Sequence, residues 1–146
     1  VSVFASYSRE QLREAYAEAW RKHRERAPLS PLEDSIVAVL ERHPEYQALV
    51  ADRSAALSYD APRAHGAANP FLHMGLHLAV REQLATDRPP GVRSLAREIE
   101  SLGAGAHGAE HVLMAALEET LWTAQQSGHA PDEQRYLARA RALAKA

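Results

Sequence analysis

Two short runs of the chain carry residues that could do chemistry. "NPFLHMGLHLAV", residues 69–80, sets His73 and His77 four apart inside an apolar stretch, and "HGAEHVLMAAL" repeats the pattern with His107 and His111. Residues four apart on a helix differ by only ~40° in direction, so each pair points both rings the same way. His73 and His77 share a stripe with Val80 and Leu84, and His107 and His111 share one with Met114 and Glu118. His43 extends the stripe of Ile36 and Leu40, so five of the eight histidines fall at positions whose pattern asks for core residues.

A lone histidine on an apolar face is usually a core residue bonded to a carbonyl, and that is the ordinary reading of His43 or His23 taken singly. A single H-x-x-x-H is also weak. Two pairs weigh differently, because burying four imidazoles without partners costs about a few kcal/mol each, whereas one divalent cation satisfies several together. With no cysteine in the chain, a transition-metal site must use imidazole and carboxylate. The expected ligands are His73, His77, His107 and His111, with His43 as a fifth.

Glu110 lies between the second pair, offset by about 60–100°, and is the candidate general base; a solvent-facing first-turn glutamate is an equal alternative. Glu118 sits about 10 Å deeper than His111 by helical rise. It suits a second metal, or pairing with Tyr16 or an arginine. Glu33 belongs to a helix cap, Glu14 and Glu18 read as solvated, Met74 and Met114 as core filler, and Trp20 and Trp122 as core aromatics.

The elements that must position these residues are helices. Alanine, leucine, glutamate and arginine are abundant, with glycine and proline clustered at intervals. The first helix is expected from Ser8, its cap, to about Arg26, with Glu10, Leu12, Tyr16, Ala19 and His23 giving the period. "SPLE" at Ser30 to Glu33 is a capping box with proline in the first turn, opening a helix that ends at Pro44. One shorter helix is expected from Glu45 to about Leu57, then a polar loop over 58–68. Asn69–Pro70 caps and starts the helix of the first pair, which stops near "TDRPPG". A modest helix over 92–102 precedes "GAGA", a longer one spans about Ala106 to Ser127, and a last one reaches the C-terminus. The sum is a single all-α domain over residues 1–146, a bundle of four longer helices with short accessory ones. Both pairs lie in the first turns of their helices; a return through 92–102 makes those helices parallel and the pairs level.

The 146 residues suffice for one core. A formal charge of −2, with both signs interspersed, offers no basic face for nucleic acid. No apolar run approaches the ~20 residues of a membrane span, and "VSVFASYSRE" lacks the pattern of a secretory signal. A cytoplasmic protein is expected.

The runs "NPFLHMGLH", "EQLATDRPPG", "HGAEHVLMAALEETLW" and "HPEY" resemble the uncharacterised bacterial family called domain of unknown function 1841, over nearly the whole chain. That resemblance implies a small helical protein and carries no activity. In ligand inventory the site is similar to hemerythrin-like non-haem di-iron proteins and to DinB-type metal-binding bundles, but the H-x-x-x-E element of the former is missing.

The function read from these residues is a non-haem metal protein, mono- or dinuclear, with iron ahead of zinc because so many histidines exceed what one hydrolytic zinc needs. Iron implies redox or oxygen chemistry on a small molecule. The alternatives are a zinc-dependent hydrolase, with Glu110 as base, or a closed zinc staple in a protein-interaction module. Haem between facing histidines lacks an attachment motif. His65 and His129 stand beside glycine, outside the stripes. Replacing either with alanine should leave the metal content of purified protein unchanged, as measured by elemental analysis; loss of metal in either variant would overturn ligand assignment by stripe.

Overall fold

The computed structural model describes residues 9–59 and 69–146. The proposed cap Ser8, most of the proposed loop at 58–68, and His65 within it lie outside the described residues. The fold is all-α, with no strand among the described residues. In chain order the helices are α1 (Arg9–Arg24), α2 (Pro31–Glu41), α3 (Pro44–Ala51), α4 (Arg53–Ser58), α5 (Pro70–Thr86), α6 (Val92–Ile99), α7 (Gly105–Ser127) and α8 (Glu133–Lys145). A π-helical turn, Glu100–Ala104, joins α6 to α7. None of these helices is long and apolar enough to cross a membrane. The chain divides into two compact units within α5, after Leu78.

In the first unit α1 packs against α2, α3 and α4. Its core gathers Tyr16, Ala19 and Trp20 from α1, Ile36, Val39 and Leu40 from α2, Val50, Ala56, and Phe71, Met74 and Leu78 from α5. Tyr16 stacks on Phe71 at 5.7 Å between ring centres, and burial pushes its phenol well above the usual range. The capping box forms as its sequence dictates: Glu33 N–H donates to Ser30 Oγ (3.2 Å), and Ser30 N–H donates to Glu33 Oε1 (2.9 Å). Lys22 Nζ pairs with Glu33 Oε2 at 3.0 Å, tying α1 to the start of α2.

The chain leaves helical geometry at His43 because the residue before a proline is pushed out of the α region; φ and ψ there are −130° and 71°. Pro44 then starts α3. The single helix expected over 45–57 is two helices, and Asp52 is the cause. Its extended backbone breaks the run, and its Oδ1 accepts from Ala55 N–H at 3.1 Å, capping α4. Asn69 Oδ1 likewise accepts from the N–H groups of Phe71 and Leu72 at 3.1 and 3.3 Å, opening α5.

The second unit holds the end of α5 with α6, α7 and α8. Its buried apolar side chains include Val80, Val92, Leu95, Ile99, Leu113, Met114, Leu117 and Tyr136. Arg93 closes the end of α5, donating from Nε to Leu84 O and from a terminal nitrogen to Ala85 O, both at 3.0 Å. The helix expected at 92–102 does not stop before "GAGA" but widens into the π-helical turn. Gly103, at φ 101°, supplies the left-handed residue at the kink. Trp122, expected in the core, is 60% exposed. It lies two residues past buried Thr120, hence about 200° around the helix and on the outer face.

Removing the capping box should show in stability. Ser30→Ala is expected to lower unfolding free energy by about 1 kcal/mol in urea titration, and Ser30→Asp to lose much less.

Candidate metal centre

Three of the five candidate ligands meet within the first unit. His43 is placed by the break between α2 and α3, where the Pro44 turn leaves its side chain at the end of α2. Its Nδ1 lies 2.8 Å from Val39 O. A carbonyl only accepts, so Nδ1 carries the proton and donates, and the Nε2 lone pair of the neutral ring is left as acceptor or ligand. Tyr46, three residues on, stacks on the His43 ring at 5.2 Å and 5°. The carbonyl and the phenol ring together fix the imidazole plane.

His73 and His77 come from consecutive turns of α5, as their spacing requires. Their Nε2 atoms are 3.1 Å apart. The His43 ring centre lies 5.1 Å from that of His73 and 4.8 Å from that of His77, both edge-on. His77 is fully buried and His43 is 7% exposed, while His73 is half-buried. The ligand atoms of these three rings lie within 4.8 Å of one another.

Those distances fit a metal. Metal–nitrogen bonds of about 2.0–2.1 Å set adjacent nitrogens from about 2.8 Å apart in octahedral shells to about 3.4 Å in tetrahedral ones. The His73–His77 separation falls in that range. Neutral imidazoles converging in a protein interior are also the right donors for a borderline divalent ion. Among the described residues no carboxylate belongs to this cluster, so no carboxylate of theirs would bridge two ions in it.

In the second unit His107 and His111 stand on consecutive turns of α7, ring centres 4.2 Å apart and nearly perpendicular. His107 is exposed and His111 half-buried. Glu110 does not stand alone between them: Arg81 Nε donates to its Oε1 at 2.8 Å, with the side chains 29% and 12% exposed. Arg81 follows His77 by four residues, continuing the α5 stripe into the second unit. Glu118 is half-buried. Glu33 serves the α2 cap, Glu14 pairs with Arg53 and Glu18 with Arg21. Met74 and Met114 are core residues, and His23 packs against Trp20.

Sequence reasoning missed two residues, Tyr46 and Arg81. Both had a signal. Pro44 starts a helix whose third residue is Tyr46, which brings its ring back toward the cap residue His43; and the 73–77 spacing, taken one step further, lands on 81.

The chain belongs to the family described as Domain of unknown function (DUF1841), which matches residues 8–142. No curated protein matches the chain, and no solved structure matches it.

The Arg81–Glu110 pair yields a stability test. Arg81→Met strands a largely buried carboxylate and should cost about 1–3 kcal/mol in denaturant unfolding. Adding Glu110→Gln should recover part of that loss. Additive losses in the double variant would mean that the two side chains do not interact in solution.

Proposed function

We propose that this member of the DUF1841 family is a non-haem metal protein whose centre is a single divalent transition-metal ion held by His43, His73 and His77. The observation that carries the reading is the convergence of three imidazoles, two of them fully or nearly buried, with the His73 and His77 Nε2 atoms at the separation of neighbouring metal ligands. Three imidazoles also leave a coordination shell incomplete.

Iron is our first assignment and zinc the second. One side of the histidine cluster is open, through half-buried His73 and Tyr46, which suits a centre with free coordination positions for dioxygen or another small molecule. In a reducing cytoplasm, where we place the protein, iron is kept divalent. A zinc hydrolase built on Glu110 as base fits less well, because that carboxylate is engaged by Arg81. When bound, the ion supplies Lewis acidity or redox capacity. The chain supplies oriented neutral donors, with Val39 O fixing the tautomer of His43.

Protein purified without a histidine tag should carry about one ion per chain in this reading, with near-ultraviolet and visible absorption for iron and none for zinc. His77→Ala should lower both metal content and melting temperature, because metal bound to the native state adds folding free energy. Full stoichiometry and a wild-type melting temperature in that variant would return the histidines to the role of core residues.

A further inference from the structure

The histidine cluster of the first unit carries a fourth ring that is not an imidazole. Tyr46 lies flat on His43, with 5.2 Å between ring centres and 5° between planes, and edge-on to His73 at 6.1 Å and 70°. His43 and His73 are themselves 5.1 Å apart, so the phenol stands against two of the three donors at once. His77 contacts the same two rings, at 4.8 and 4.7 Å. It is fully buried, whereas Tyr46 is half-buried. The imidazole of His77 thus closes the core side of the His43–His73 pair, and the phenol stands on the side toward solvent. Its place is fixed locally. Pro44 starts α3, Tyr46 N–H donates to His43 O at 2.9 Å, and Gln47 Nε2 donates to Leu40 O at 2.9 Å, which holds the first turn of α3 on the end of α2. Tyr46 and Leu49 also pack on the core of the first unit. Swinging the phenol away would uncover both the His43 ring and apolar surface, which is unfavourable in water.

Resting on the metal centre proposed above, we infer that Tyr46 is a specificity-determining residue of that centre: its ring restricts the external ligand on the ion to molecules of a few atoms. Three imidazoles leave coordination positions that are filled from outside the protein. A ligand entering on the half-buried side passes beside the phenol, because that ring lies against both His43 and His73. A diatomic or triatomic molecule, or a small carboxylate such as formate, has room beside it. A ligand with an aromatic ring behind its donor atom overlaps it. The discrimination is a built-in clash against the larger ligand, with no added attraction for the smaller one. In this role Tyr46 gives up no proton and no electron and donates no lone pair to the ion.

Titration of the Co2+-loaded full chain with formate and with benzoate, followed by the Co2+ absorption spectrum, tests this. The two ligands bind through the same carboxylate and differ in the ring behind it. Formate should perturb the wild-type spectrum, and benzoate should bind about tenfold more weakly or worse. Tyr46→Ala should tighten benzoate about tenfold relative to formate, while Tyr46→Phe, which keeps the ring, should match the wild type. Tyr46→Leu keeps apolar cover on His43 without the ring; it should shift the ratio in the same direction as alanine and guards against a folding defect in the alanine variant. Equal affinity of the wild type for both ligands would overturn the role of the ring, as would a spectrum that responds to neither. An unchanged ratio in the alanine and leucine variants would do the same. So would a Tyr46→Phe protein that behaves like the alanine variant, because the effect would then belong to the hydroxyl. Failure of the centre itself reads differently: the wild-type chain would retain no Co2+ before any ligand is added, and Tyr46 would have no ion to screen.

Discussion

The constraint on which the rest depends is the burial of imidazole. His77 is fully buried and His43 nearly so, and an imidazole taken from water keeps both a donor and an acceptor that need partners. Val39 O takes the donor of His43, and the Nε2 atoms of His73 and His77 face each other. With one ring protonated at Nε2 and the other not, that contact is a hydrogen bond that satisfies both nitrogens.

That constraint explains why rigid elements surround the rings. The break at Pro44 fixes where His43 emerges, and Tyr46 holds its plane from the first turn of the next helix. Phe71, Met74 and Leu78 anchor the same stretch of α5 in the core of the first unit. The two histidine positions on α5 thus alternate with core contacts, and the helix cannot rotate its histidines away without exposing apolar surface. In the second unit the Arg81–Glu110 pair joins the end of α5 to the first turns of α7 through a charge-assisted bond that is largely shielded from water. Most other ion pairs, such as Glu14–Arg53 and Glu119–Arg139, are exposed and contribute little.

The all-α class, the Ser30 capping box, the Asn69 cap and the pairing of His73 with His77 were legible in the sequence, because each depends on residues within one or two helical turns. Local chemistry also explains where the reading was coarse. Asp52 prefers to cap a new helix over continuing the old one, and the glycines of "GAGA" allow a widened turn in place of a loop. Trp122 was assigned to the core from its residue type, yet the buried face of α7 passes through Thr120 and leaves the indole outside.

What the sequence determined by itself was therefore periodic and local: which residues form helices, where those helices start, and which histidines share a face. Only the tertiary structure decided that His43, a histidine at a helix end, faces His73 and His77 from a distant part of the chain. The same holds for Glu110, whose apparent freedom ends at Arg81, and for His107 and His111, alike in spacing but unlike in exposure. The physical reason is common to all three. A helical repeat sets direction around one axis, whereas depth, partners and exposure are set by what packs against that face, and the repeat carries no record of it.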